Sequence, residues 1–351
     1  MSTLEVVAPG ALATLQDAGR HGWRRIGVPA AGALDLRLLR LANALVGNPE
    51  TAVAIECFDG GQQFVARDGA LRVAVAGDAR LEHHDRDGRH TLAGWRSLTL
   101  AEGDTLRLVD TGAGRLAMLA VAGLAVAPVM GSASTYARAA LGGIDGRPLQ
   151  AGDRLCAAAA VPAPPLCLPA PPAPESGPIR IVPGPQADHF TAAAHETLFS
   201  RPFTVTAEAD RMGVRLRGPA LAHCDAAHAE IVSDAIVPGA IQVPGNGQPI
   251  VLLADSQTAG GYPKIGVVIS ADRARIAALR PGSAVRFAPL GVADAEAAAR
   301  AAAAALRALI ASIAPCRDDI ALDIDALYRD NLLSGVVDAR APDAEDTESP
   351  E

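Results

Sequence analysis

Short runs that alternate apolar and polar side chains recur along the first half of the chain. Leu71–Gly77 shows this pattern, and so do Ser97–Leu100 and Thr105–Val109. A period of two places successive side chains on opposite faces of a strand, so each run predicts a half-buried strand. Ala101–Asp104 lies between the last two runs and is typical of a tight turn, so we predict a hairpin there.

The second half of the chain contains six further short runs that are rich in strand-forming residues. Glycine, proline, asparagine and aspartate separate them. The runs are Ile179–Val182, Phe203–Ala207, Ala240–Val243, Ile250–Ala254, Ile265–Ile269 and Ala284–Phe287. Many short strands at such spacing are typical of barrels and sandwiches. The predicted fold class is therefore mainly β with some α.

Helical spacing is confined to a few segments. Leu34–Val46 is amphipathic and is followed by Gly47, a residue that commonly ends helices. The other predicted helices are Gln186–Thr197, Asp272–Ala278, Val292–Ala314 and a short one over Asp323–Tyr328. Val292–Ala314 is rich in alanine, and its apolar face is too small to form a domain by itself.

A proline-rich segment separates the two halves. Ala157–Pro178 contains eight prolines, which excludes a helix or a central strand. We predict an extended polyproline-type linker. The alternative is an ordered loop that packs on one domain. The predicted organisation is a β-rich domain over 1–156, the linker over 157–178, a second β domain over 179–290, a helical extension over 291–337 and a disordered acidic tail over 338–351.

Charge and cysteine usage narrow the class of protein. The net charge is −8, and the tail from Asp338 holds six acids and one arginine, which leaves −3 for the rest. No basic face is evident, so nucleic acid is not expected as a partner. Five cysteines without a Cys-x-x-Cys pair indicate reduced thiols and a cytoplasmic protein. We predict neither a signal peptide nor a membrane span, because the longest apolar run, Leu116–Met130, is too short.

Lys264 is the only lysine among 31 cationic side chains. Lysine carries a compact charge on a flexible stem, whereas arginine presents a planar fork of donors. A site that keeps lysine in an arginine-rich chain is a candidate for binding a phosphate or a carboxylate. The alternative is a solvated lysine without a role.

The loop that precedes Lys264 is the most polar and glycine-rich segment of the chain. It begins at Asp255, directly after the apolar run Ile250–Ala254. A carboxylate at this position can accept a proton or hold a cation, so Asp255 is a candidate catalytic residue. The candidate substrate-binding residues of this loop are Gln257, Thr258 and Tyr262. The alternative is a structural turn with solvated polar groups.

The segment Pro244–Pro249 is a second candidate for binding a ligand. Its glycines, with Asn246 and Gln248, can form a nest of backbone N–H groups suited to an anion. Gln242 lies on the preceding run and is expected to point into the same space. The alternative is a plain β-turn.

Arg211 and part of the first half complete the candidate site. The guanidinium of Arg211 can form a bidentate contact with a carboxylate or a phosphate. The alternative is a local turn with Asp210. Weaker candidates on polar, glycine-rich segments of the first half are Gln16, Asp17, Arg20 and Ser134.

Metal, phosphate-loop and hydrolase motifs are not evident in the sequence. It contains no G-x-x-x-x-G-K-[ST], G-x-S-x-G or H-E-x-x-H motif. We predict no metal site, because the histidines lie in polar stretches. The alternative is a site built from one of two groups, His83, His84 and His90 or His223, Cys224, Asp225 and His228.

Many short segments, all in one order, resemble the KipA-like family, also called allophanate hydrolase subunit 2-like or biotin-dependent carboxyltransferase-like. The resemblance covers about residues 4–288. The matching segments include Thr14–Arg20, Gly32–Asp35, Pro128–Ser132, Ser134–Tyr136, Val182–Gln186, Asp210–Gly213, Gln242–Pro244, Gly247–Ile250 and Gly260–Ile265. The family's fold implies two cyclophilin-like β-barrel domains. The proline-rich linker, predicted from composition, joins them and lies outside the matching pattern.

The resemblance implies one component of a larger enzyme, similar to the C subunit of bacterial ATP-dependent 5-oxoprolinase. ATP with magnesium would be shared with two partner subunits, one KipI-like (allophanate hydrolase subunit 1-like) and one LamB/YcsF-like, and this chain would be inactive alone. The implied roles are anion binding by Lys264 and Arg211, proton or cation binding by Asp255, and amide binding by Gln242, Gln248 and Gln257.

Two other functions remain open within the same family. One is carboxyl transfer to urea or another amide, as in biotin-dependent urea carboxylase. Biotin would not be attached to this chain, because its sole lysine lacks the Met-Lys-Met context. The other is regulation, as for the KipA protein, which antagonises an inhibitor of a kinase by binding it.

Overall fold

β-strands form most of the structure, as the alternating pattern predicts. The structure, a computed structural model, describes residues 1–316. Twelve strands lie in the first half: β1 (Ser2–Pro9), β2 (Leu12–Gln16), β3 (Ala54–Phe58), β4 (Gln62–Arg67), β5 (Leu71–Ala76), β6 (Arg80–Asp85), β7 (Gly88–Ala93), β8 (Arg96–Leu100), β9 (Thr105–Asp110), β10 (Leu116–Val121), β11 (Arg154–Ala157) and β12 (Leu166–Cys167).

These strands form two sheets that share one apolar core. One sheet has the order β11-β1-β4-β9-β6-β7. The other has the order β2-β3-β10-β5-β8-β12 and ends on a short strand, Ala314–Pro315. Leu4 and Phe64 of the first sheet pack against Ile55 and Val75 of the second, and all four side chains are fully buried. Burial of such side chains is the main stabilising contribution in this region.

The predicted hairpin across Ala101–Asp104 is wrong. β8 pairs with β5 and β12, whereas β9 pairs with β4 and β6 in the other sheet. Leu100 and Leu106, on either side of the turn, are both fully buried in the core between the sheets. The turn therefore carries the chain from one sheet to the facing one, and an alternating pattern does not distinguish this connection from a hairpin.

The second half forms a nearly closed barrel. Its strands are β13 (Ile179–Pro183), β14 (Phe203–Val205), β15 (Gly213–Arg217), β16 (Asp234–Ala235), β17 (Ala240–Gln242), β18 (Ile250–Leu252), β19 (Ala259–Gly260), β20 (Lys264–Val268), β21 (Ala284–Val285) and β22 (Phe287–Pro289). Eight of them form one sheet in the order β21-β14-β15-β18-β17-β20-β13-β22. Only Arg286 separates the two end strands along the chain, so the sheet curls round on itself. β16 and β19 pair separately.

The two halves pack together within residues 1–315, which form one compact unit. Phe58 and Leu116 belong to the first half but lie in the apolar core of the second. The mainly β fold class is confirmed. The domain boundaries proposed from the sequence stay predictions.

Four α-helices lie among the described residues: α1 (Leu36–Val46), α2 (Ala192–Ser200), α3 (Arg273–Ala277) and α4 (Val292–Ala311). α1 begins two residues later than predicted because the Asp35 side chain caps it, accepting from the N–H groups of Arg37 and Leu38. α2 also begins late, since Thr191 caps it and a separate 3-10 turn precedes it. No helix within residues 1–316 is long and apolar enough to cross a membrane.

The proline-rich segment contacts the first half. β12 lies within it and pairs with β8. Arg72 donates to the carbonyl oxygens of Ala163 and Pro164 at 2.8 and 2.6 Å, and Leu168 is buried. The segment is thus held along one sheet. The predicted helix over Asp323–Tyr328, the rest of the helical extension to 337 and the acidic tail lie outside the described residues.

Candidate functional site

Lys264 is buried at the start of β20 and is only 2% exposed. Its Nζ donates to Asp234 Oδ2 at 2.7 Å and to the carbonyl oxygen of Ala235 at 3.2 Å. The alternative of a solvated lysine is therefore wrong. The Asp234 side chain is 48% exposed, so the ion pair joins a buried cation to a carboxylate at the surface.

Three glutamines surround this ion pair. Gln186 accepts from the Lys264 backbone N–H at 3.2 Å and donates to Asp234 at 3.3 Å. Gln257 donates to Gln242 at 3.4 Å, and Gln242 donates to the carbonyl oxygen of Tyr262 at 3.3 Å. The structure thus brings together four residues proposed from the sequence, namely Lys264, Gln242, Gln257 and Tyr262. We call Lys264, Asp234, Gln186, Gln242 and Gln257 the lysine cluster.

Two glycines allow the backbone to approach this cluster closely. A Cβ at Gly184 would overlap the carbonyl oxygen of Lys264. A Cβ at Gly260 would lie 2.8 Å from Gln242 Nε2 and 2.7 Å from a methyl group of Ile236. Any larger residue at either position would displace the groups that position the lysine. The glycines of this segment therefore serve close packing around the amides.

Lys264 and its neighbours stabilise the charge of Asp234. A hydrogen bond from Lys264, together with those from the Ala235 N–H and Gln186, holds the pKa of Asp234 below its usual range. Asp234 is thus ionised at neutral pH. Its charge balances the ammonium, and a substrate carboxylate could reach that ammonium by taking the place of Asp234.

Arg211 joins the two halves through a buried ionic cluster. Its Nε and Nη2 donate to the two Asp255 oxygens at 3.0 and 2.9 Å, and Nη2 also donates to the Gly32 carbonyl oxygen at 2.7 Å. Its Nη1 pairs with Glu56 on β3. All three guanidinium nitrogens are occupied, so Arg211 binds carboxylates of this chain, as its fork geometry favours. The main contacts of the guanidinium are therefore with these carboxylates and not with Asp210 in a local turn, which was the alternative.

Burial and ion pairing have opposite effects on the pKa values of this cluster. Burial would lower the pKa of Arg211, but Glu56 and Asp255 outweigh it and raise that pKa. Burial raises the pKa of Glu56 above its usual range, although Arg211 and the Leu34 N–H counteract it. A buried carboxylate without Arg211 would be strongly unfavourable. The stability of this buried ionic cluster therefore depends on Arg211.

The first-half candidates form a third group around Asp17. The Asp17 carboxylate accepts from Ser132 Oγ at 2.6 Å, Ser134 Oγ at 2.5 Å, the Ala133 N–H at 2.7 Å and the Gly19 N–H at 2.8 Å. Four donors on one carboxylate fix the end of β2 against the segment that carries Ser134.

Arg20 and Gln16 reinforce the same contact. Arg20 is fully buried and donates to the carbonyl oxygens of Val129 and Ser134, both at 2.9 Å. Gln16 donates to the carbonyl oxygen of Thr135 at 3.1 Å. Three of these candidates, Asp17, Arg20 and Gln16, thus hold backbone segments in place.

We expect Asp17→Asn to destabilise the chain in a pH-dependent way. Burial would raise the pKa of Asp17, but the bonds from Ser132, Ser134, Gly19 and Ala133 outweigh it and lower that pKa. A carboxyl with a lowered pKa stabilises the fold above its unfolded pKa, and this contribution is lost as pH falls through the folded value. The expected loss near neutral pH is about 1.5–3 kcal/mol, the range for hydrogen bonds to a charged group.

Urea unfolding of wild type and Asp17→Asn at neutral pH and at about pH 3 checks this expectation. The difference in free energy of unfolding should shrink at the lower pH. A difference that is the same at both values would show that the carboxylate charge does not matter.

Gln248 and Asn246 lie elsewhere on the second half. Gln248 Nε2 donates to the Gly218 carbonyl oxygen at 3.1 Å, and its Oε1 accepts from the Gly218 N–H at 2.9 Å. Asn246 accepts from the Gln248 N–H at 3.0 Å. Both line a surface cavity of about 320 Å³ with Arg215. Within residues 1–316 they form no hydrogen bond with the lysine cluster, so their role in binding stays a prediction.

Thr258 contributes its backbone to the loop. Its carbonyl oxygen accepts from the Ile236 N–H at 3.0 Å, which holds the segment of Asp234 against the loop. Tyr262 is 42% exposed and lies at the edge of the lysine cluster. Neither side chain forms part of the ion pair.

Sequence reasoning missed two carboxylates, Glu56 and Asp234. Glu56 is an acid in the middle of the apolar run Ala54–Phe58, and this contrast was a usable signal of a buried ion pair. Asp234 lies in an ordinary polar loop, and no pattern marks it. Its pairing with Lys264 follows only from the tertiary fold.

The histidines that allowed a metal site as an alternative form pairwise contacts. His83 Nε2 lies 3.0 Å from Asp104 Oδ2, and His228 Nδ1 lies 2.7 Å from Asp225 Oδ1. Among the described residues, no group of three or more histidine, cysteine or acidic side chains is arranged to hold a metal ion.

Comparison with known proteins assigns this chain to a family. The model of the carboxyltransferase domain, subdomain A and B, matches residues 26–289. The C subunit of the Escherichia coli 5-oxoprolinase is 38% identical over 297 residues, which cover 81% of this chain and 90% of the relative. The protein of the same name from Haemophilus influenzae is 36% identical, covering 78% of this chain and 87% of the relative.

Solved structures show the same fold within a longer protein. The crystal structure of Kluyveromyces lactis urea carboxylase matches 90% of this chain with a TM-score of 0.77 and 27% identity. The match covers 30% of that longer chain. The resemblance stated from the sequence motifs is thereby confirmed.

Proposed function

We propose that this chain is the C subunit of a 5-oxoprolinase. It belongs to the family of carboxyltransferase domains with subdomains A and B. One observation carries the proposal: the E. coli C subunit matches over 90% of its own length at 38% identity. A match over nearly the whole relative favours the same role over a shared module alone.

The proposed reaction opens the lactam of 5-oxoproline to glutamate. A lactam is a stable amide, and transfer of a phosphoryl group from ATP to its oxygen makes the carbonyl carbon susceptible to water. One water opens the ring, the ring nitrogen leaves as the free amine and an acyl phosphate remains, and a second water then releases phosphate. The overall balance is 5-oxoproline, ATP and two waters to glutamate, ADP, phosphate and a proton. The substrate therefore presents one carboxylate and one amide to the protein.

We assign the substrate contacts to the lysine cluster. The Lys264 ammonium suits the substrate carboxylate, and the amides of Gln242 and Gln257 suit the donor and acceptor of the lactam. Arg211 and Asp255 already bind each other, so we assign them a positioning role that holds the loop from Asp255 in place.

ATP and its magnesium are assigned mainly to partner subunits. The sequence has no phosphate-binding loop of the type that ends in Lys-Ser or Lys-Thr, and the single ammonium is paired with Asp234. A chain without a phosphate site of its own would be inactive alone. We therefore propose hetero-oligomeric assembly with one KipI-like and one LamB/YcsF-like partner.

Reconstitution tests the proposed function. This chain is co-expressed with its KipI-like and LamB/YcsF-like partners, and ADP release is measured with and without 5-oxoproline. We expect 5-oxoproline-dependent ADP release and glutamate formation only when all three chains are present. Equal activity without this chain would refute the proposal.

Transfer of a carboxyl group to urea is the second candidate, supported by the structural likeness to urea carboxylase. Its weakness is that this chain spans only 30% of that protein. The same preparation, supplied with urea and a carrier whose biotin is already carboxylated, discriminates between the two. Carboxylated urea without any conversion of 5-oxoproline would establish the second function instead.

A further inference from the structure

Exposed apolar side chains concentrate on one part of the surface. Among residues 1–316, eleven large apolar side chains are exposed, and six of them lie on four neighbouring loops. We call these six residues the rim surface: Trp23, Ile26, Val129, Val232, Val237 and Tyr262. Apolar side chains exposed together commonly mark an interaction site, whereas scattered ones do not.

Hydrogen bonds between the loops establish that they are neighbours. The Trp23 indole N–H donates to the Met130 carbonyl oxygen at 3.0 Å, next to Val129. Arg24 donates to the Ile236 carbonyl oxygen at 2.6 Å, next to Val237. The Ile231 N–H donates to the Gly261 carbonyl oxygen at 2.8 Å, which joins the segment of Val232 to that of Tyr262.

The rim surface borders the lysine cluster. Asp234 lies between Val232 and Val237 along the chain and is paired with Gly260 across β16 and β19. Tyr262 precedes Lys264 by two residues, and its carbonyl oxygen accepts from Gln242. A protein seated on the rim surface would therefore cover the exposed side of the Lys264–Asp234 pair.

The residue types at this surface are those that dominate protein interfaces. Aromatic residues make up only 3% of the chain, yet Trp23 and Tyr262 are both exposed here. Arg25 lies beside them, is exposed and forms no ion pair with a carboxylate among the described residues, whereas the Arg24 guanidinium binds the Ile236 carbonyl oxygen. Tryptophan, tyrosine and arginine are enriched among the residues that contribute most to binding.

We propose that the rim surface is the docking face for a partner protein whose contact face is apolar and carries a carboxylate opposite Arg25. The inference rests on the proposed function, which requires such a partner. Docking closes the lysine cluster from water and places groups of the partner against the bound substrate.

Matched aspartate substitutions test the docking face. Val232→Asp and Ile26→Asp place a charge on the rim surface, whereas Val161→Asp and Val292→Asp place one on exposed valines elsewhere. Binding of each purified variant to the two co-expressed partners is measured by titration, and the chain alone by sedimentation. We expect both rim variants to bind roughly 30–100-fold more weakly, the effect of losing a central interface contact. Both controls should bind as the wild type does.

Thermal unfolding of every variant shows whether the fold is intact. Rim variants that bind both partners as tightly as wild type would overturn the docking proposal, even if the wild-type complex converts 5-oxoproline. A wild-type chain that is dimeric alone and becomes monomeric only in the rim variants, with partner binding unchanged, would also overturn it. Rim-dependent binding without conversion of 5-oxoproline would refute the proposed function and leave the docking face standing.

Discussion

Replacing Lys264 with methionine should lower glutamate formation by the assembled complex about 10²–10³-fold, the effect of removing one preorganised charge-stabilising group. Methionine fills the space of the buried stem but carries no charge. The half-exposed Asp234 remains solvated, so the fold should be kept. The rate is measured on reconstituted complex, and thermal unfolding of the free chain provides the check on folding.

Two matched variants define the role of the charge. Lys264→Arg keeps the cation but replaces the compact ammonium, which contacts Asp234 and the Ala235 carbonyl oxygen, with a wider planar fork, so we expect a substantial loss of rate. Asp234→Asn leaves the buried ammonium without its counter-charge, so it should destabilise the chain more than Lys264→Met does. Full activity of Lys264→Met would remove the lysine cluster from the proposed site.

Replacing Arg211 with methionine should cost about 3–5 kcal/mol of the free energy of unfolding, the usual cost of leaving buried charges unpaired. Within residues 1–316, Glu56 is bonded by Arg211 and by the Leu34 N–H, and Arg211 also holds both oxygens of Asp255. Because these contacts join the two halves, unfolding by urea should report the loss directly.

The loss of stability in Arg211→Met should become smaller as pH falls. The pKa of Glu56 is raised by burial and restrained by Arg211, so removing the arginine raises it further. A carboxyl with a raised folded pKa destabilises the fold when ionised, so the variant should recover stability as pH falls. Adding Glu56→Gln to Arg211→Met should restore part of the loss at neutral pH. A loss below about 1 kcal/mol would show that the pairing contributes no more than a surface ion pair.

The strands were predictable because their signal is local. Alternation over Leu71–Gly77 and the short second-half runs identified the elements and the mainly β class. The strand pattern alone allowed a barrel or a sandwich, and only the family resemblance implied a barrel, because closure depends on β21 and β22 lying at opposite ends of one sheet. The hairpin prediction at Ala101–Asp104 was wrong for a related reason. The local sequence specifies a chain reversal but not the sheet to which the next strand belongs.

Part of the candidate site was predictable from composition. The single lysine, Gln242 and Gln257 meet in the structure as the sequence suggested. Arg211 and Asp255 were identified as charged groups, but their engagement with Glu56 depends on contact between the two halves. Asp234 could not be found, since an aspartate in a polar loop carries no signal until the fold places it 2.7 Å from an ammonium.

Growth on 5-oxoproline as sole nitrogen source tests the central claim most directly. A strain that lacks this gene is complemented with wild type, Lys264→Met or the control Val292→Asp. We predict that wild type and Val292→Asp restore growth and that Lys264→Met does not, when the three complementing proteins are present at equal levels. Normal growth of the uncomplemented strain, or full restoration by Lys264→Met, would contradict this account.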